Sequence, residues 1–307
     1  MDGSTPDAWS LVTGVTGFVG SRVAARLAER GMRVRGLVRE PVAIPGIETV
    51  VGDLLDGPSL RRAVEGVAVV VHCAVDERDD LARARAVNEG GTRALAEAAL
   101  AAGCRRFVQI STCAVYALED VDVVTEDTPL WPEERADELI YGATKAMAER
   151  ALLEVVDQGL EVTILRPPNV LGAHPRSVFC EVLASRVRDG SVGYAGDGGN
   201  TWPYVHVENL VDAIEAAIER DLPAGRAYTV VDGHTTWRAF LEDYAAWFGT
   251  QVTTREPQPV YDAFRGRFAT DRARDELGLR PRLTYQDALE EMRRFVESRG
   301  VIPPAQP

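Results

Sequence analysis

The stretch "SLVTGVTGFVG", residues 10–20, narrows the folding options more than any other part of the chain. An apolar run ends in glycine, and Gly14, Gly17 and Gly20 carry it straight into an amphipathic helical pattern that runs from about Phe18 to Arg30. The alternation then recurs. "RVRGLV", "IETVVGD", "VAVVVH", "RFVQIS" and "EVTILR" read as strands. Helical patterns at Ser59–Glu65, in an Ala-rich segment ending near Ala102, and over Tyr141–Val156 separate most of them. Strands alternating with helices of this length require parallel crossovers, so the predicted fold is α/β with a doubly wound parallel sheet, a Rossmann architecture. After Pro167 the rhythm loosens into helical segments such as "ENLVDAIEAAIER", "TTWRAFLEDYAAWFG" and a last one over Tyr285–Ser298. Residues 1–167 therefore read as the Rossmann domain, with later strands at about 200–232 interleaved, and residues 168–307 as mainly a smaller, mostly helical substrate lobe.

Composition excludes several classes of function. A net charge of −13 on 307 residues argues against a nucleic-acid or anionic-membrane binder, which would present a basic face. No apolar run approaches the roughly 20 residues that a spanning helix needs, and "MDGSTPDAWS" lacks the charged and apolar regions of a secretory leader. Cys73, Cys104, Cys113 and Cys180 form no CxxC pair and no metal-like cluster with the four histidines. They read as buried free thiols in a reducing cytoplasm, and no metal is expected. The tail "PPAQP" is expected to fray.

Glycine at positions 14, 17 and 20 permits a tight turn, close approach of backbone to a pyrophosphate, and close packing of helix on sheet. The helix start adds free N–H donors and a positive dipole end. This points to a dinucleotide. Which one is decided at the end of the second strand, where a carboxylate would accept from a ribose 2′-hydroxyl and a cation would hold a 2′-phosphate. There "RVRGLVREP" places Arg39 after Val38, while Glu40 follows into the loop. NADP(H) is therefore favoured over NAD(H), with Arg39 as the clamp. Asp53 in "VGDLLD" is the candidate partner of the adenine amine.

"YGATKAMAER", residues 141–150, contains the single lysine of a chain in which every other basic side chain is arginine. Arginine is always charged and planar, whereas lysine is a compact ammonium on a slim stem. Tyr141 and Lys145, at i and i+4, share a helix face. A free phenol titrates near 10, too high to trade protons at neutrality, and a neighbouring ammonium stabilises the phenolate.

The set "TGVTGFVG", "GDLLD", "VVHCAV", "VNEGGT", "ISTCAVY", "YGATK" and "LRPPNVLG" resembles the extended short-chain dehydrogenase/reductase family, including its NAD-dependent epimerase/dehydratase group. The likeness continues through "GDGGNTWPYVHVENLVDA" and "DRARDELGLRP". It implies a catalytic set of Thr112, Tyr141 and Lys145, with Ser111 as the adjacent alternative to Thr112. It also implies a cofactor site of Gly14, Thr16, Gly17, Phe18, Val19 and Gly20 in the turn, Arg39, Asp53 and Leu54 at the adenosine end, and Cys73, Ala74, Tyr141, Lys145 and Pro168 around the nicotinamide. Asn88 is either the family asparagine that orders the cofactor loop or a plain helix cap. His206 reads as structural and His72 as a core histidine. A homodimer through the two long helices near Leu95 and Ala148 is a further implication of the likeness.

Departures from the family pattern narrow the reaction. Cys113 and Ala114 stand where 4,6-dehydratases carry an acidic pair, so dehydration is not expected. Trp202 replaces an arginine that grips a diphosphate, which suggests a less charged, ring-shaped substrate against a flat aromatic wall. Arg176 or Arg186 could replace the missing cation, and Asn169 retains a sugar-nucleotide feature. The expected activity is an NADP-dependent ketoreductase or secondary alcohol dehydrogenase acting on a small-molecule carbonyl or alcohol. The alternative is a nucleotide-sugar epimerase or a 4-ketoreductase acting on a sugar substrate.

Overall fold

The structure, a computed structural model, describes residues 9–256 and 262–302. The "PPAQP" tail lies outside the described residues. In chain order the strands are β1 (Trp9–Thr13), β2 (Arg33–Val38), β3 (Glu48–Val51), β4 (Val67–His72), β5 (Arg106–Ile110), β6 (Val123–Val124), β7 (Glu161–Arg166) and β8 (Asn169–Leu171). They continue with β9 (Gly193–Tyr194), β10 (Thr201–His206), β11 (Arg226–Thr229), β12 (Gly233–Thr236), β13 (Thr253–Thr254) and β14 (Arg267–Phe268). The helices that matter below are α1 (Phe18–Glu29), α2 (Gly57–Ala63), α3 (Leu81–Arg85), α4 (Thr92–Ala101), α5 (Ile140–Val156), α6 (Leu183–Arg188), α7 (Val207–Glu219) and α8 (Trp237–Phe248).

Seven of these strands form one parallel sheet in the order β11-β7-β5-β4-β1-β2-β3. Its central strands are apolar on both faces because helices cover both. On β4, Val69 and Val71 pack with α1 and α7, while Val70 packs with α2, α4 and α5. This follows from the period of two along a strand and explains why "VAVVVH" is a continuous apolar run rather than an alternating one. Order reverses between β1 and β4, and the crevice outside the carboxyl ends of these strands is the binding position of a doubly wound sheet.

A second layer of structure caps that edge. β8, β10 and β12 make a three-stranded sheet, and α6, α8 and the helix Tyr285–Ser298 bury Leu183, Phe240, Leu241, Tyr244, Leu289 and Met292 around Trp202. The helix Tyr285–Ser298 begins at a capping box, in which Thr284 and Asp287 satisfy each other's backbone N–H groups. Within residues 200–232, α7 and β11 return to the large sheet, whereas β10 pairs with β8 and β12 instead. Leu95 and Ala148, which lie on the two long helices through which a homodimer is expected, are themselves fully buried inside the protomer. The reason is that α4 and α5 pack on each other, so their inner faces are consumed within one chain. Among the described residues no helix is long and apolar enough to cross a membrane.

Helix α1 sits so close to the glycine turn that a Cβ on Gly20 would lie 2.3 Å from the Gly14 carbonyl oxygen. That obstacle is backbone and cannot rotate away. Gly20→Ala is therefore expected to lower unfolding stability in urea by about 1–3 kcal/mol, the range for overpacking. Gly90→Ala is the control: its Cβ would meet nothing within 4 Å, and the change should be neutral or stabilising.

Candidate active site

One cleft of about 1090 Å³ runs along the carboxyl edge of the sheet, from the glycine turn to the smaller lobe. Gly14 at its floor has φ +66°, and a Cβ there would meet the backbone of Cys73 and Ala74 at 2.9 Å. The first turn and the end of β4 are thus held in backbone contact. Thr13 fixes the same junction: its hydroxyl accepts from the Ala74 N–H at 3.1 Å and lies 2.6 Å from His72 Nδ1. His72 Nε2 reaches Thr92 Oγ1 at 3.0 Å. Burial, with Lys145 adding to it, pushes the His72 pKa down to about 3, so this is a neutral core histidine.

Gly17 occupies the N-cap position of α1 without a side-chain cap, so the free N–H groups of the first turn are left for a ligand. Thr16, Gly17, Phe18, Val19 and Gly20 line the cleft here. This glycine-lined, positively polarised end is chemically suited to a pyrophosphate. At the far end, Leu37, Val38, Arg39, Asp53 and Leu54 line it. Arg39 is exposed and makes no ion pair among the described residues, while Glu40 is exposed outside the lining. The Asp53 carboxylate accepts from the Leu55 N–H at 2.8 Å, a local turn contact that holds the side chain at the cleft.

The opposite wall carries Tyr141 and Lys145 from α5 with Ser111 and Thr112 from the end of β5. Lys145 is buried, and its Nζ donates to the Ile110 carbonyl at 2.7 Å. Desolvation lowers its pKa from 10.5 to about 8, against opposing attraction from Glu149 and Glu77. Thr112 Oγ1 accepts from the Ala114 N–H at 3.1 Å, which leaves its own O–H to donate elsewhere. Ser111 Oγ instead donates to the buried carboxylate of Glu149. The two hydroxyls are adjacent in sequence and differ in employment. Cys73 also lines the cleft, and burial pushes its thiol up to about 12, so it remains protonated.

Asn88 is not a helix cap. It lies in a π-helical turn, Ala86–Gly91, between α3 and α4. Its amide accepts from the Asp76 N–H at 2.8 Å and donates to the Asp76 carbonyl at 2.9 Å and to Thr144 Oγ1 at 3.0 Å. It thereby ties the loop after β4 to the helix that carries Tyr141 and Lys145. His206 lies outside the cleft lining; it caps α7 by accepting from the Glu208 N–H, and its Nε2 lies 3.1 Å from Glu291.

In the substrate half, Pro168, Asn169, Arg176 and Trp202 line the cleft, whereas Arg186 does not. Asn169 Nδ2 donates to the Pro203 carbonyl at 2.8 Å. Trp202 stacks its ring on Phe240 with centroids 3.8 Å apart and is 7% exposed, so it serves the core of the smaller lobe while it also lines the cleft. The smaller lobe needs that face for its own core. Arg255, also in the lining, is held by the Asp262 carboxylate at 2.9 Å through two nitrogens.

Two contributors to this geometry escaped sequence reasoning. Gly142 follows Tyr141, and a Cβ there would lie 2.2 Å from the Ala114 carbonyl oxygen, so glycine lets α5 touch the Thr112 loop. An unneeded glycine inside a strong helical pattern was the available signal. The second is the pair Glu149–Arg166, buried and 2.6 Å apart, whose only sequence trace is Glu149 one turn after Lys145.

A glycine turn and a tyrosine–lysine helix facing one cleft of a parallel sheet define a class, the nicotinamide-dependent enzymes built on a Rossmann scaffold. The model of the NAD dependent epimerase/dehydratase family matches residues 10–230, and the chain belongs to this family, within the extended short-chain dehydrogenases/reductases. It is similar to a UDP-glucose 4-epimerase of Vibrio cholerae, with 28% identity covering 92% of this chain and 93% of that one. It is 29% identical to a 4-hydroxy-2-methyl-3-oxo-4-farnesyl-3,4-dihydroquinoline-1-oxide ketoreductase of Stigmatella aurantiaca, over 92% and 95% of the two chains. Among solved structures, a dTDP-glucose 4,6-dehydratase of Streptomyces venezuelae with NAD bound superposes with a TM-score of 0.80 at 27% identity, covering 96% of this chain and 99% of that one.

The depressed Lys145 pKa carries a stability cost. Below about pH 8 the ammonium is charged in both the folded and the unfolded chain, and its burial destabilises the fold; the cost is relieved as pH rises from about 8 to the ordinary lysine value. Lys145→Met is expected to stabilise the protein by about 2 kcal/mol at pH 7, after the lost Ile110 hydrogen bond is offset. The gain should shrink at pH 10, as measured by urea unfolding at the two values.

Proposed function

We propose that the protein is an NADP(H)-dependent reductase of a small-molecule ketone, or the dehydrogenase of the matching secondary alcohol. The observation that carries this reading is the shared cleft. Tyr141, Lys145 and Thr112 line it together with the uncapped glycine turn, and an arginine without a carboxylate partner among the described residues stands at its adenosine end. The bound cofactor would supply or accept hydride at nicotinamide C4. Gly14, Thr16, Gly17, Phe18, Val19 and Gly20 would hold its pyrophosphate region, and Asp53 and Leu54 its adenine. Arg39 would hold the 2′-phosphate, and Cys73, Ala74 and Pro168 would border the nicotinamide.

Within the chain, Thr112 donates to the substrate carbonyl oxygen through its O–H, which the contact with the Ala114 N–H does not use. Tyr141 donates the proton to that oxygen as negative charge develops on it, and in the reverse direction removes it. Lys145 spends one donor on Ile110 and keeps two for ribose hydroxyls, while its charge stabilises the phenolate. The bond of Ser111 to Glu149 supports Thr112 rather than Ser111 in the donor role. Cys113 and Ala114 offer no acid–base pair for water elimination, which separates this chain from the dehydratases it resembles.

With NADPH and a panel of aromatic and aliphatic ketones, Tyr141→Phe and Lys145→Arg are each expected to lower kcat/KM by about 10²–10⁴-fold. Undiminished turnover in both would remove the mechanism. Arg39→Glu should raise KM for NADPH at least about tenfold while leaving NADH turnover intact, since a charge-assisted contact contributes on the order of 1.5 kcal/mol or more. The similarity to a UDP-glucose 4-epimerase over nearly the whole chain supports a second reading, epimerisation of a nucleotide-linked sugar. Purified protein that carries tightly bound NAD and is inert to added NADPH would decide for it.

A further inference from the structure

Beneath the wall that carries Thr112, Tyr141 and Lys145 lies a buried network that the proposed chemistry does not use. Glu149, 1% exposed, follows Lys145 by one helical turn and points to the same side of α5. Its carboxylate accepts from Ser111 Oγ and from Arg166, whose Nη2 is 2.6 Å away and whose Nε is 3.1 and 3.2 Å from the two oxygens. Arg166 closes β7 and immediately precedes Pro167 and Pro168 of the cleft lining. It donates onward to Tyr116 Oη at 3.0 Å and to the Glu126 carbonyl at 3.2 Å. Ser111 immediately precedes Thr112, so a single carboxylate is bonded to both strand ends that frame the reacting position.

We propose that Glu149 is the positioning residue of this site: it fixes the ends of β5 and β7 against α5 and supplies the counter-charge that keeps Lys145 an ammonium. The role rests on the catalytic reading of Tyr141 and Lys145, but the geometry is independent of which substrate is reduced. The groups facing Lys145 are Glu149, Glu77, Cys73 and His72, together with the Tyr141 phenol one turn before it on the same helix face. Those facing the Glu149–Arg166 pair are Ser111, Cys113, Tyr116 and Glu126, whose main chain accepts from Arg166 and whose carboxylate is turned to Arg272 and the Thr229 N–H. His72 is neutral, and burial holds the thiols of Cys73 and Cys113 and the phenol of Tyr116 in their protonated forms. Around neutrality the charges that matter are therefore Lys145, Glu149, Arg166 and Glu77. Removing the carboxylate leaves Arg166 uncompensated and penalises the lysine cation; removing Arg166 does the opposite.

The chain's single lysine makes this directly readable. Protein labelled with [¹⁵N]lysine has one side-chain nitrogen resonance, and following it from pH 6 to 11 gives the protonation midpoint of Lys145 without substrate or cofactor. The wild-type midpoint is expected near 8. Glu149→Gln should lower it by about one unit or more, Arg166→Met should raise it, and the double variant should return it close to the wild-type value. An unchanged midpoint in Glu149→Gln, or a shift of the same sign in both single variants, overturns the proposal. Should Glu149→Gln fail to fold, Arg166→Met and the double variant decide the question: adding Gln must lower the midpoint by a unit or more, and equality overturns it. The titration needs no turnover, so failure of the ketone panel and failure of this proposal are separate results.

Discussion

The structure is organised around the burial of one ammonium. Water would solvate Lys145 far better than the protein does, and its depressed pKa measures that loss. The fold tolerates it because the Ile110 carbonyl accepts one of its protons and Glu149 places a carboxylate one helical turn away. That carboxylate would itself be costly alone, and Arg166 neutralises it with paired hydrogen bonds. The chain of compensation ends at Tyr116, Thr229 and the Glu126 backbone, where β7 and β11 border the smaller lobe. A buried network of this kind is stabilising only when every member is satisfied, which makes the position of each strand end depend on the others.

Close approach of backbone does the remaining alignment. Glycines at 14, 20 and 142 each remove a Cβ that would collide with a main-chain atom, bringing the glycine turn against β4, α1 against the turn, and α5 against the Thr112 loop. Asn88 and Thr13 then fasten these contacts with side-chain hydrogen bonds. Backbone contacts and hydrogen bonds thus tie together the cleft walls on the side where hydride and proton would move under the proposed function.

The other half of the cleft follows different rules. Trp202, Phe179, Trp237 and Phe240 pack against one another in the core of the smaller lobe, and all but the fully buried Phe240 also line the cleft. Arg255 is already held by Asp262, so its charge is largely spent within the protein. The substrate half is thus apolar at its back and modestly cationic at its mouth, where Arg176 lies in the lining.

Much of this was legible in the sequence. The strand–glycine–helix opening, the apolar β4 run and the Tyr141–Val156 helix are local patterns, set by backbone sterics and by the periods of helix and strand, and the structure has all three. The candidate residues of both cofactor ends and of the tyrosine–lysine wall also converge on one cleft. Tertiary structure alone decided what depends on neighbours distant in sequence: that Ser111 is committed to a carboxylate 38 residues away, that Trp202 spends its face on Phe240, and that Leu95 and Ala148 are interior. A chain announces its periodicity residue by residue, but the partner that desolvates or satisfies a given side chain is chosen only when the sheet and its helices close around it.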